Sequence, residues 1–171
     1  IKLFGKEFTI STATDTTSLV FFGSAQEVSL SVGQTDSVPS QKVTVAGTEY
    51  TVTLQGVNAN TATVVVTSPT KTETKNIDQG SSKKIAGLDV AAKRVSAFTA
   101  PEGTGSAALL LGAQRIKLQD GSSVLEGTDE TAIDGTIVRF GTGENPVNLT
   151  TLKVTVFAPD SSNDFIQEGS S

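Results

Sequence analysis

The chain has 171 residues, a formal net charge of −5 and a sequence pI near 4.7, with one Tyr, eight Phe and no Trp, Met, His or Cys. Without His or Cys there is no Ser-His-Asp hydrolase, no cysteine protease, no disulfide and no zinc–thiolate site. The acidic balance, with no cluster of Lys and Arg to follow a phosphate backbone, argues against nucleic acid, and no apolar run approaches the roughly 20 residues a membrane-spanning helix needs.

From the start, Phe4, Lys6, Phe8 and Ile10 alternate with Leu3, Gly5, Glu7 and Thr9, which predicts an opening strand over 1–10. STATDTTS at 11–18 is a polar turn, Leu19 to Phe22 a short apolar run, and Val28, Leu30 and Val32 mark a third strand. The clearest pattern is VTVAGTEYTVTL, Val43 to Leu54, an antiparallel hairpin turning at Gly47 with Val43, Val45, Tyr50, Val52 and Leu54 on one face. Val57 to Asn60 turns into ATVVVT, Ala62 to Thr67, a core strand rich in β-branched residues that ends at Ser68-Pro69. Lys71 to Ile77 reads as a partly exposed strand closed by Asp78-Gln79-Gly80-Ser81.

Lys83 to Phe98 fits a helical stripe through Ile85, Leu88, Ala92 and Val95, but Gly87, the alternation of Leu88, Val90 and Ala92, and the neighbouring strands favour a strand. The basic pairs Lys83-Lys84 and Lys93-Arg94 read as solvated faces. After a polar loop at 99–105, the run to Ala113 is apolar on both faces and predicts a strand buried on both sides. Asp120-Gly121 and Asp134-Gly135 mark turns, Thr136 to Phe140 follows, and Leu152, Val154, Val156 and Ala158 form the last strand.

The fold class is therefore all-β, an antiparallel β-sandwich with Ig-like layers, built from about ten to twelve strands without the strand–helix alternation of an α/β enzyme. It is either one body or two packed lobes: a central sandwich over 41–118, a second layer or lobe from 1–36 with 121–165, and a mobile tail at 166–171. Carboxylates at Asp89, Asp120, Asp129, Glu130, Asp134 and Asp160 stand mostly in turns, where a side chain normally serves the backbone, so no catalytic residue is assigned. Gly103-Thr104-Gly105 and Gly141-Thr142-Gly143 are loop glycines and no phosphate cradle. Glu126, Asp129, Glu130 and Asp134, four acids in nine residues, are the candidate calcium ligands, with Asp160 and Asp164 secondary; the spacing matches no EF-hand. Asn148-Leu149-Thr150 is a glycosylation triplet, with Asn148 the acceptor.

Five stretches in order, IKLFGKEFTI, VTVAGTEYTVTLQGVNANTATVVV, NIDQGSSKKIAGLDVAAK, SAALLLGAQRIKLQDGS and AIDGT, resemble the repeated β domains of archaeal surface-layer (S-layer) proteins of small-genome archaea, over about residues 1–165. The resemblance implies a secreted structural protein of the cell surface, a region of a longer chain, whose partners are copies of itself or other envelope domains. It also implies no catalytic residue, frequent glycosylation and frequent calcium binding. The alternatives are an extracellular filament or pilus subunit that donates the strand 1–10 to its neighbour, and a carbohydrate-binding module, which the lack of Trp disfavours.

Overall fold

The computed structural model describes residues 2–3, 6–23, 25–33, 35–99, 101–142 and 149–157. Among these the chain is all-β, with antiparallel sheets packed on one another and no helix. In chain order the strands are β1 (Lys2–Leu3), β2 (Lys6–Ile10), β3 (Ser18–Gly23), β4 (Gln26–Val32), β5 (Ser40–Val45), β6 (Thr48–Asn58), β7 (Thr61–Thr67) and β8 (Thr72–Asp78). They continue with β9 (Ser82–Ile85), β10 (Leu88–Ala97), β11 (Gly105–Leu111), β12 (Gln114–Gln119), β13 (Leu125–Glu126), β14 (Thr131–Ala132), β15 (Thr136–Thr142) and β16 (Leu149–Val156).

Two four-stranded sheets, β4-β11-β10-β9 and β5-β6-β7-β8, face each other across the main core. The strand β7 shows why: Ala62, Val64 and Val66 are wholly buried while Thr61, Thr63 and Val65 between them are half-buried, the period of a pleated strand with one face on a core. In β6 the buried residues run Val52, Leu54 and then Val57, because a bulge between Leu54 and Gly56 shifts the phase by one. A second bulge between Ala92 and Arg94 does the same in β10, where Val90 and Ala92 are followed by Val95. Each fully buried Val or Leu contributes roughly 1.5–3 kcal/mol of transfer free energy.

The third large sheet, β1-β2-β3-β12-β13-β14, adjoins the sandwich at two short breaks, where β3 gives way to β4 and β11 to β12. β3 pairs with β12 from Ser18↔Gln119 to Gly23↔Gln114, and β4 pairs with β11 from Gln26↔Leu111 to Val32↔Gly105. The register is the same on both sides of the break, so β3 with β4 and β11 with β12 make an interrupted antiparallel ribbon, one part in the outer sheet and the other in the sandwich. The sheets therefore divide between Gly23 and Gln26 and between Leu111 and Gln114, and not at 36/41 and 118/121: β4 lies in the sandwich, β12 outside it. Phe22, Ala91, Leu110 and Ala113 pack where the ribbon changes sheet, which explains a β11 apolar on both faces. A separate core of Phe21, Leu118, Val124 and Val138, flanked by Phe8, Ile116 and Phe140, holds the two-stranded β15-β16 sheet against the outer sheet.

Two single strands expected from the sequence are hairpins. The opening segment folds back on itself, β1 pairing with β2 at Lys2↔Glu7. Lys83 to Phe98 divides at Ala86-Gly87, both with positive φ (49° and 90°), into β9 and β10, with Leu88 opposite Ile85. The apolar spacing that imitated a helical stripe comes from two strands facing the same core.

Candidate functional site

Between the β9–β10 hairpin and the β12–β13–β14 end of the outer sheet lies a cleft of ≈ 320 Å³ whose wall includes Lys84, Asp89, Arg115, Glu126, Thr128 and Asp129. Asp89 stands opposite Lys84 in the ladder. Burial pushes the Asp89 carboxyl above its ordinary range, the Lys84 ammonium opposes this, and Asp129 adds to it by like-charge repulsion. Beside the cleft, Glu130 accepts from Arg115 at 2.8 Å and from Lys117 at 3.0 Å, and these two cations, Lys117 foremost, hold its carboxyl below the usual range.

The four acids expected to act together are thus separated by their environments. Glu126 and Asp129 reach the cleft, where the sandwich adds Asp89; Glu130 is occupied by Arg115 and Lys117; Asp134 is exposed in the turn before β15. Among the described residues no group of three or more acids is placed to hold a metal ion. Asn148, Asp160 and Asp164 lie outside the described residues. The cleft wall thus mixes cations with acids, and the Asp89–Asp129 interaction across it is repulsive.

Other carboxylates serve turns, as their positions in the sequence suggest. Asp15 Oδ1 accepts from the backbone N–H groups of Thr17 (2.8 Å) and Ser18 (2.7 Å) and from both hydroxyls, and these bonds, the Thr17 amide first, lower its pKa to about 2. Asp120 Oδ1 accepts from the Phe140 amide at 2.8 Å and ties β15 to the turn after β12. Ser11, which is buried, donates from Oγ to the Gly80 carbonyl at 2.5 Å, linking the first turn of the outer sheet to the sandwich.

The remaining chemistry of the surface is at the sheet edges. β8 and β9, adjacent edges of the two sandwich sheets, carry Lys75, Lys83 and Lys84, with Lys75 Nζ donating to the Lys84 carbonyl at 2.8 Å. The β5 edge carries Lys42, paired with Glu49; β4 carries Glu27, paired with Lys93, and has its Ser31 amide bonded to the Val38 carbonyl; β1 and β14 are two residues long. β16 differs. One of its sides pairs with β15, and its apolar residues Leu149, Leu152, Val154 and Val156 are 44, 38, 43 and 75% exposed. The alternation predicts a strand, and nothing in LTTLKVTV distinguishes a covered apolar row from an open one.

Comparison with protein-family models, with curated proteins and with solved structures gives no match.

Proposed function

We propose that this chain is a structural β module of an extracellular surface layer, with mechanical work and lateral contacts in place of catalysis. The observation that carries the reading is the ribbon of β3–β4 and β11–β12, which keeps one register through both halves of the molecule. Two sheets whose strands keep one register across both junctions have no long linker to hinge about, so a pull applied to one half passes directly into the other. Ser11–Gly80 and the Phe22 junction brace the same joint. The reading needs no resident cofactor, and it agrees with the resemblance to archaeal S-layer β domains. Immunogold electron microscopy of native envelopes, with an antibody to this chain, is expected to label the cell surface; label confined to the cytoplasm ends the proposal.

A filament built by strand pairing is the second reading. The opening segment is a poor donor, because β2 is already paired with β3 at Phe8↔Gly23, Thr9↔Phe22 and Ile10↔Phe21. The open strand β16 favours that reading instead.

A further inference from the structure

We propose that Asp134 is a site of spontaneous isoaspartate formation, a change of the main chain at Asp134-Gly135 that needs no enzyme and that the fold withholds from the other Asp-Gly pair of the chain, Asp120-Gly121. The site stands whether or not the chain belongs to an envelope.

The reaction joins two atoms of neighbouring residues. The main-chain nitrogen of the glycine attacks Cγ of the protonated aspartic acid; a C–N bond forms, the hydroxyl leaves with the amide proton as water, and a cyclic succinimide closes. Water then opens the ring. Breaking the new bond to Cγ restores aspartate. Breaking the older bond to the α-carbonyl leaves the chain running through Cβ and Cγ, an isoaspartate of the same composition with one more main-chain atom. No oxidant, metal or partner takes part. Glycine follows the acid at both places and has no Cβ to hinder the approach. What decides is whether the carboxyl and the amide nitrogen are free to meet.

At Asp120-Gly121 both groups are engaged. Asp120 Oδ1 accepts from the Phe140 amide at 2.8 Å, and the Gly121 amide donates to the Val138 carbonyl at 2.9 Å. Ring closure there must break two bonds to β15. At Asp134-Gly135 the same groups are free: among the described residues neither the exposed Asp134 carboxyl nor the Gly135 amide has a hydrogen-bond partner, and the Asp134 carbonyl has none either. The flanks are held instead. The Ile133 amide donates to the Val124 carbonyl at 2.8 Å, and the Gly135 carbonyl accepts from the Phe157 amide at 2.8 Å. The peptide unit between them is thus free to rotate. Glycine conformation does not separate the two pairs, since φ is 79° at Gly121 and 71° at Gly135.

The position of Asp134 gives the change a consequence. Thr136, which is buried, donates from Oγ1 to the Ile133 carbonyl at 2.6 Å and accepts there from the Val124 amide at 2.9 Å. These bonds clasp the start of β15 to the end of the outer sheet. An added main-chain atom between Ile133 and Gly135 lengthens the path that the clasp closes, so isomerised chains hold β15 less firmly.

The test uses the whole chain, aged in warm neutral buffer and then cleaved at glutamate, which puts Asp120 in the peptide ending at Glu126 and Asp134 in the peptide beginning at Thr131. Isoaspartate is read by an isoaspartyl methyltransferase and by electron-transfer fragmentation. In the folded chain it is expected to form at Asp134 at least about tenfold faster than at Asp120, whose two bonds must first break. In urea, where neither pair is protected, the two rates should draw level. Asp134→Glu, whose longer side chain closes a ring far more slowly, should silence the Thr131 peptide. The aged variant should keep its melting midpoint while the aged parent develops a lower-melting fraction. A folded chain in which Asp134 reacts no faster than Asp120 overturns the inference. So does a difference that persists undiminished in urea, which would trace it to the neighbouring sequence and not to the fold.

Discussion

Phe21 and Phe22 are neighbours in one strand and belong to different cores. Phe21 meets the ring of Phe8 edge-on at 6.1 Å in the core under β15, while Phe22 packs with Ala91, Leu110 and Ala113 where the ribbon enters the sandwich. The pleat sends successive side chains to opposite faces, and β3 is buried on both. Phe21→Ala and Phe22→Ala each remove a ring from a closed site and are expected to cost about 3–5 kcal/mol in chemical denaturation. They differ in what loosens first. Hydrogen exchange should rise in β12 and β15 for Phe21→Ala, and in β4 and β11 for Phe22→Ala.

Ala46 is held at φ 49° before Gly47 at φ 80°, in the two-residue turn between Val45 and Thr48. Both central residues of such a turn need positive φ, a conformation that costs an alanine roughly 1 kcal/mol and suits Asn. Ala46→Asn is expected to stabilise by about that amount and to raise the melting midpoint by about 2–4 °C in calorimetry.

That turn also marks how far the sequence could be read. The hairpin through Gly47, the core strand Ala62 to Thr67, the doubly buried β11 and the stops at Ser68-Pro69 and Asp78–Ser81 follow from alternation and turn residues, and the structure has them. The hairpins at the opening and at Ala86-Gly87 did not: residues 1–10 alternate as one strand would, and around Ala86-Gly87 two strands facing one core repeat apolar residues at a spacing close to helical. Nor did the bulges at Gln55 and Lys93, which change the phase of the pattern without changing its composition. Of the candidate site, the turn at Asp120-Gly121 was legible, but the bond of the Asp120 carboxylate was not, because its partner, the Phe140 amide, arrives from a distant strand. The separation of Glu130 from Glu126 and Asp129 was not, since it depends on Arg115 and Lys117 arriving from another strand.

Asp89 is expected to weaken the fold at neutral pH. Burial raises its carboxyl pKa above the unfolded value, with Lys84 partly offsetting and Asp129 reinforcing the shift. A raised acid binds its proton more tightly in the folded state, so stability falls as pH climbs from the unfolded pKa through the folded one, and the deficit persists above. Asp89→Asn should therefore melt higher than the parent at pH 7. The gain should fade as pH is lowered to where the carboxyl is protonated in both states, as thermal melts across that range will read.

Asp15 works with the opposite sign. Its pKa of about 2, set first by the Thr17 amide, lies below the unfolded value, so its contribution is present above the ordinary carboxylate range and is lost as pH falls through about 2. Carboxyl carbon shifts in NMR should give a midpoint near 2 for Asp15. Thr17→Ala, which removes one hydroxyl donor and keeps the amide, should move that midpoint upward without restoring the ordinary value.

Glu130 holds a non-glycine backbone at φ 52° and at the same time anchors Arg115 and Lys117, whose side chains are 12 and 21% exposed. Replacing the carboxylate leaves two partly buried cations facing each other, a larger loss than that of a fully exposed ion pair. Glu130→Gln is expected to cost about 1–2 kcal/mol in urea denaturation near neutral pH. Added salt should shrink the difference, because screening relieves the repulsion between Arg115 and Lys117 in the variant and weakens their attraction to Glu130 in the parent. The carboxyl pKa is lowered by these partners, so the parent should itself lose this contribution as pH drops below the ordinary glutamate range, and the two proteins should converge in acid. Equal urea midpoints at neutral pH and low salt would mean that the two cations are held by strand pairing alone.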